Sequence, residues 1–491
     1  MNSSDLALFE DIWSALDAAG SDRSVEERTE ERGARASRLP PPRVELSGTA
    51  GLPSVYQVGA LATATVAAAT AAVAAVHSAR SGASPVVHVD RGHATAGFKC
   101  ERLLEAQGWT LPPVWDPIAG DYRAQDGFIR LHTNYRHHRD AVLRVLGTAE
   151  SREAVASAVS TWRAEDLESA VVAERGCAAR LRTTAEWAAH PQGVAVSREP
   201  LFTVTTRSAG ASLAATGLLG REGSAYARDR RGAPLAGVRV LDLTRVMAGP
   251  VCTRLLAAYG AEVLRIDPPG FEEVGALLPE MTAGKRRAFV DLRDASGRAA
   301  FERLLAGAHV MVHGYRADAL DRLGYGAARR REINPDLIDV SHDAYGWSGP
   351  WAHRRGFDSL VQMSVGIADA GRAAARSDGP VPLPAQALDH GCGYLLAAAA
   401  CRALVRLLVD GRASEVRLSL ARTAKLLVDL GDSGDIAAPD LPAAAIDRWC
   451  ETAATAWGPV RRVRCPGWID GVDPRWTIAA GPLGADAAEW S

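Results

Sequence analysis

Between residues 238 and 341, short β-type runs alternate with helical runs, and this alternation restricts the fold more than any other feature of the chain. Residues 238–243 read as a strand, TRVMAGP as a loop, and 251–259 as a helix with Pro250 at its first position and Gly260 as its stop. The next strand is expected at 262–266, with later ones at 287–292, 309–312 and 337–341 and helices at 296–305 and 317–323. Strands joined through helices lie parallel, so the pattern implies an α/β fold with a largely parallel, Rossmann-like sheet covered on both faces. Ligands of such sheets sit on the loops at the carboxyl ends of the strands. Here those loops carry Arg245, the Met247, Ala248 and Gly249 backbone, Lys285, Arg286, Arg287, Tyr315, Arg316 and Arg322. A basic set of this kind suits a polyphosphate, although solvated surface arginines are an equal reading in a chain so rich in arginine. Neither G-x-G-x-x-G nor G-x-x-x-x-G-K-[ST] follows the first strand, which weakens NAD and ATP readings.

A second feature is Asp389, where a Pro-rich approach turns into a long apolar helix. Aspartate is a preferred N-cap, so a plain cap is the simplest reading. Gly391 and Gly393 in the next turn suggest something more, namely open room for a substrate beside the carboxylate. His390 is adjacent, but side chains of neighbours at a helix start diverge, so it is not assigned as a base.

At 491 residues the chain should hold two or more domains. We divide it into an N-terminal helix and charged arm at 1–45, a first half at 46–200, a linker at 201–234 and a catalytic lobe at 235–491. The first half opens with an Ala-rich helix over 51–79, closed by Gly82 and followed by a strand at 85–89. The order helix, glycine, strand recurs around Asp389. Setting Ser84 on Ser414, an offset of 330, puts Gly59 opposite Asp389 and suggests an internal repeat whose first copy has lost its carboxylate. Residues 114–193 read as a smaller α+β domain, with a turn at Gln125, Asp126 and Gly127. His132, His137 and His138 match no standard ligand spacing and are read as exposed or capping, so no metal is expected. The near balance of 56 Lys plus Arg against 58 Asp plus Glu gives no reason to expect nucleic acid or an anionic membrane as partner. Seven cysteines without a C-x-x-C pair, and an Ala-rich run at 60–76 too short and weakly apolar for a span, lead us to expect a cytoplasmic protein.

Five ordered blocks carry a resemblance: LAGVRVLDLTRVMAGPVCTRLLAAYGAEVLRIDPPG, GKRRAFVDL, HGYRADALDRLGYG, YGWSGPWAHRRGFDSLVQMSVGI and ALDHGCGYLLA. They resemble the successive blocks of the family III CoA-transferases, the group of formyl-CoA transferase, carnitine CoA-transferase and α-methylacyl-CoA racemase. The resemblance implies an acyl-CoA substrate across the Rossmann-like lobe, with Val246 and Met247 in the loop that contacts the nucleotide and Arg322 and Arg355 at that site. Pro268 stands where some members have another arginine. Asp389 falls on the family's catalytic aspartate, which attacks the acyl-CoA, passes through a mixed anhydride to an aspartyl-CoA thioester, and hands CoA to a carboxylic acid. The racemase branch needs a histidine where this chain has Phe357, and a phenyl ring relays no proton. A non-catalytic CoA-binding protein is the remaining alternative, motivated by Gly59. The small domain, which usually follows the aspartate helix in the family, here precedes the catalytic lobe; a homodimer is expected, as in other members.

Overall fold

The computed structural model describes residues 3–19, 41–49, 51–210, 232–316, 318–432 and 440–491. The charged run expected at 22–35 lies outside them. The main sheet has seven strands, numbered here in chain order: β1 Thr203–Ser208, β2 Arg239–Leu243, β3 Glu262–Asp267, β4 Lys285–Phe289, β5 Val310–His313, β6 Ile338–Asp343 and β7 Arg412–Ser419. They lie in the order β4-β3-β2-β5-β6-β7-β1, all neighbours parallel except the antiparallel edge pair β7 and β1. Strands buried on both faces are apolar apart from paired charges: β5 reads VMVH, while β2 and β3 also bury Asp242, Glu262, Arg265 and Asp267. The order reverses between β2 and β5, which opens a crevice at their carboxyl ends.

Two corrections to the expected boundaries follow from pairing. The third parallel strand begins at Lys285 rather than 287, because Lys285 is in register with Val263 and its ammonium is buried. The segment 201–234 is not linker throughout: Thr203–Ser208 closes one edge of the main sheet, and residues 211–231 lie outside the described set.

Two 24-residue helices fill the centre, α1 (Val58–Ser81) and a later one, Ala387–Asp410. By length and apolarity each could cross a membrane, contrary to the expectation for 60–76, but both are packed inside the protein, with 89% of the apolar window buried. Their surroundings repeat. Gln57 and Gln386 precede them with nearly equal dihedrals (φ −77°, ψ 59° and φ −75°, ψ 62°), and Gly82 and Gly411 end them in the left-handed region that glycine adopts freely. Asp90 and Ser419 then cap the following helices, each accepting from the backbone N–H three residues on. All three pairs stand 329 positions apart, so the helical register pairs Ala60, not Gly59, with Asp389.

The smaller unit has a hairpin Gly120–Ala124 and Gly127–Leu131, a third strand Ala178–Arg180, and helices Arg136–Leu146, Arg152–Val159 and Ala164–Ala173 around their own core. The segment after 440 crosses the expected division of the chain. Cys450–Thr455 pairs with Gly458–Val463, which in turn pairs with Glu105–Ala106, and Trp468–Ile469 pairs with Val87–Asp90. Residues beyond 473 then strap the main sheet lobe, Trp476 Nε1 donating to Arg254 O and Trp490 Nε1 to Leu304 O.

Candidate active site

A cavity of about 570 Å³ opens at the carboxyl ends of β2 to β6. The loop after β2 forms one wall through Arg245, Val246, Met247 and Ala248, and leads into helix α2 (Ala248–Ala258). The loop is held in a strained shape. Val246 has φ +61°, a conformation that costs a β-branched residue on the order of 1–3 kcal/mol. Asp242 fixes the turn from below, its carboxylate accepting from Thr244 N (2.9 Å), Thr244 Oγ1 (2.5 Å) and, on α2, Thr253 Oγ1 (2.6 Å). Gly249 is required for contact: a Cβ there would lie 2.3 Å from Thr244 Cβ.

Asp389 lines the same cavity. It is the third residue of its helix, numbered α4 below, and not the cap; Gln386 occupies that position without a side-chain capping bond. The capping is done from outside. Asp358, at the start of helix α3 (Asp358–Ser364), accepts through Oδ2 from the amides of Leu388 (2.9 Å) and Asp389 (3.0 Å). Helix α4 is Ala387–Asp410. Burial pushes the Asp358 carboxyl up to about 6, and burial, then the Asp358 charge, then Glu101, push the Asp389 carboxyl well above the usual range. The amides of Leu388 and Asp389 at the start of α4 are therefore already used.

The glycines beside Asp389 serve packing and not substrate room. A Cβ at Gly393 would lie 2.6 Å from Ala248 O, and one at Gly391 would lie 3.2 Å from Thr423 Cγ2. Close approach of α4 to the start of α2 is what sets Asp389 against the Val246 loop.

Of the residues expected at the nucleotide end, the structure brings Val246, Met247, Ala248, Tyr315, Arg316 and Arg355 to the cavity, and Pro268 with them. Arg245 joins them, its guanidinium stacked on Phe271 at 3.7 Å and 3.6 Å from Asp267, with Nε and Nη1 buried and without a hydrogen-bond partner. Four expected residues are elsewhere, Arg287 among them with its guanidinium paired to Asp486. Lys285 is fully buried and ion-paired with Asp242 at 3.0 Å, and burial lowers its ammonium to about 8. Arg286 donates to the Glu489 carbonyl, and Arg322 is mostly exposed and ion-paired with Asp318. A strand's alternation explains Lys285: in VLDL, a buried acid needed a buried cation.

Two of the three histidines read as exposed or capping are buried. His132 stacks on Phe357 with ring centroids 3.7 Å apart, and His138 meets Cys177 Sγ at 3.6 Å. Burial lowers His132 to about 3, so it is neutral. His342 and Asp343, at the end of β6, also line the cavity and were not singled out from the sequence. A histidine and an aspartate at the carboxyl end of a parallel strand were the available cue. Outside the cavity, ligand atoms of Cys100, Glu101 and His390 lie within 4.8 Å of one another. Arg254 sits 3.7 Å from the Cys100 thiol, and its positive charge opposes a cation there.

Residues 235–431 match the profile of CoA-transferase family III. An acetyl-coenzyme A transferase, nodX, of Hypoxylon pulicicidum is 32% identical over 191 residues, 38% of this chain and 32% of its own. A formyl-CoA:oxalate CoA-transferase of Escherichia coli is 30% identical over 38% of this chain and 47% of its own. The crystal structure of Rv3272 from Mycobacterium tuberculosis is 30% identical, with TM-score 0.37, over 40% of this chain and 58% of that one. The chain thus spans a third to a half of the length of the curated relatives it matches.

Proposed function

We propose that the chain, whose residues 235–431 match CoA-transferase family III, moves CoA from an acyl-CoA thioester to a carboxylic acid through an aspartyl-CoA thioester on Asp389. The observation that carries this reading is that Asp389 opens into the cavity walled by the Val246 loop and edged by Arg245, Arg316 and Arg355. The polyphosphate end of CoA fits those cations; Arg245 in particular buries two guanidinium nitrogens that have no hydrogen-bond partner among the described residues. The start of α2 adds its dipole to the same wall.

In the reaction the Asp389 carboxylate adds to the thioester carbonyl, the C–S bond breaks, and CoA leaves as thiolate from a mixed anhydride. The thiolate adds to the aspartyl carbonyl, releasing the donor acid and leaving aspartyl-CoA. An acceptor carboxylate repeats the two steps in reverse and departs as its CoA thioester. Burial makes the Asp389 carboxyl a stronger base, hence a stronger nucleophile once ionised. Isomerisation is disfavoured by Phe357, whose ring lies on the cavity wall where a proton carrier would be needed.

Incubation with an acyl-CoA followed by hydroxylamine tests the reading. The peptide containing residue 389 is expected to gain the mass of a hydroxamate. Its absence across a panel of acyl-CoA donors would sink the covalent mechanism.

A further inference from the structure

The first turns of α4 are held by three neighbours, and one of them comes from outside residues 235–431. Asp358 takes the amides of Leu388 and Asp389, and the Ala248 carbonyl faces Gly393. The third neighbour is the segment 98–101. Phe98 stacks on the ring of His390 at 5.3 Å and on that of Tyr394, one turn on, at 5.9 Å. Glu101, in the short helix Cys100–Leu103, meets His390 Nε2 through Oε2 at 3.0 Å. Burial works against ionisation of Glu101, but His390 outweighs it and holds the carboxyl below its usual range. A carboxylate only accepts, so the His390 Nε2–H is the donor.

We propose that Glu101 is a positioning residue for the transfer: by fixing the His390 ring it fixes the rotation of the first turn of α4, and with it the direction of the Asp389 carboxylate next in the chain. The assignment rests on the transferase reading above.

Packing alone does not account for the pair. His390 has no exposed surface and the Glu101 side chain is 6% exposed, and apolar side chains of similar volume usually stabilise a core at least as well as a buried ion pair. The helix α1 shows the apolar solution: 329 positions before His390 stands Leu61, equally buried. What the polar pair adds is direction, since a hydrogen bond orients a ring where apolar contacts only surround it. Attack on a thioester needs that direction, because a misplacement of about 1 Å can cost about 10²-fold in rate.

Glu101 also bears on the charge of Asp389. After burial and Asp358, it is the remaining cause that raises the Asp389 carboxyl. The titratable groups facing Asp389 are thus Asp358 from α3, Glu101 from the first half and the Cys392 thiol on α4 itself. Those facing Glu101 are His390, Arg102 and the Cys100 thiol, behind which lie Arg254 and Glu280.

The experiment compares Glu101→Ala and Glu101→Gln in the full chain, with the most active donor of the acyl-CoA panel. Glu101→Ala frees the His390 ring and is expected to lower kcat by about 10- to 100-fold, with KM for the donor within about threefold. Glutamine can accept the same hydrogen bond, so Glu101→Gln is expected to keep at least about a third of kcat. It also removes a negative charge that opposes ionisation of Asp389, so the acid limb of kcat should move to lower pH, a shift that a packing role would not produce. A folded Ala variant with kcat within threefold of wild type, or a Gln variant as slow as Ala, overturns the proposal. If Glu101→Ala does not fold, an acid limb unchanged in Glu101→Gln overturns it equally. A wild type that forms no hydroxamate at residue 389 removes the transferase reading and this inference together; a hydroxamate with an unaffected Ala variant removes this inference alone.

Discussion

Helices α1 and α4 have the same length, the same entry conformation, the same left-handed glycine exit and the same capped helix beyond the following strand, yet of the two only α4 brings a carboxylate into the cavity. What differs is what is packed against the first turn. At α4, Asp358 takes two amides and raises the neighbouring carboxyl, and the Val246 loop closes in over Gly393. At α1, Gln57 Nε2 donates to the Leu430 carbonyl and Ser54 Oγ accepts from Tyr56 N, with Ala60 where α4 has Asp389. A helix start is therefore not a site until a second segment supplies a charge and a third supplies a wall.

The largest expected effect breaks this comparison at its centre. Asp389→Asn should lower turnover by more than about 10³-fold, while Ala60→Asp in that background should restore none, measured as CoA transfer by the purified variants. Stability should move the other way. Folding raises the Asp389 pKa, so wild type loses stability as pH rises from the unfolded value near 4 through the folded one. The neutral Asn escapes this loss. Its melting temperature at pH 8 should equal or exceed that of wild type, and the difference should vanish below about pH 4.

Next in size is the nucleotide wall. Arg245→Ala should raise KM for acyl-CoA by about 10- to 100-fold, the equivalent of a charged hydrogen bond, while Arg322→Ala should leave it within about twofold. Equal losses in the two variants would return Arg322 to the site.

Asp358→Asn sharpens the electrostatic half of the contrast. Asparagine can still accept the two amides but no longer repels Asp389, so the acid limb of kcat should shift to lower pH. A limb that stays in place would mean that burial and Glu101, without Asp358, set the Asp389 pKa.

The smallest effect is in packing. Gly393→Ala should destabilise the protein by about 1–3 kcal/mol, because its methyl meets the Ala248 carbonyl. At the equivalent place in α1 stands Ala64, fully buried with its methyl accommodated, so Ala64→Gly should cost only about 1 kcal/mol through helix propensity. Chemical denaturation of both variants gives the two values.

Much of this was legible in the residues. The alternation of strands and helices fixed the parallel lobe, and the turn read at Gln125, Asp126 and Gly127 is where the hairpin Gly120–Ala124 and Gly127–Leu131 reverses. What stayed hidden depended on partners far away in the chain. A glycine that makes room and a glycine that permits contact look alike until the facing backbone is known, which is why Gly393 was misread. Lys285 was read with its basic neighbours because nothing local says that Asp242, across β3, needs it. Asp358 was visible in GFDSL, but its two amide partners lie thirty residues on.

The interleaving of the last strands with the first ones bears on how the chain is made. Glu105–Ala106 waits for Gly458–Val463, and Val87–Asp90 waits for Trp468–Ile469. Contacts this distant must be closed against a large loop entropy and slow the search for the native state. On the ribosome, the earlier segments emerge with open sheet edges and must remain so until nearly all of the chain has been translated, an interval in which aggregation or a chaperone competes with folding.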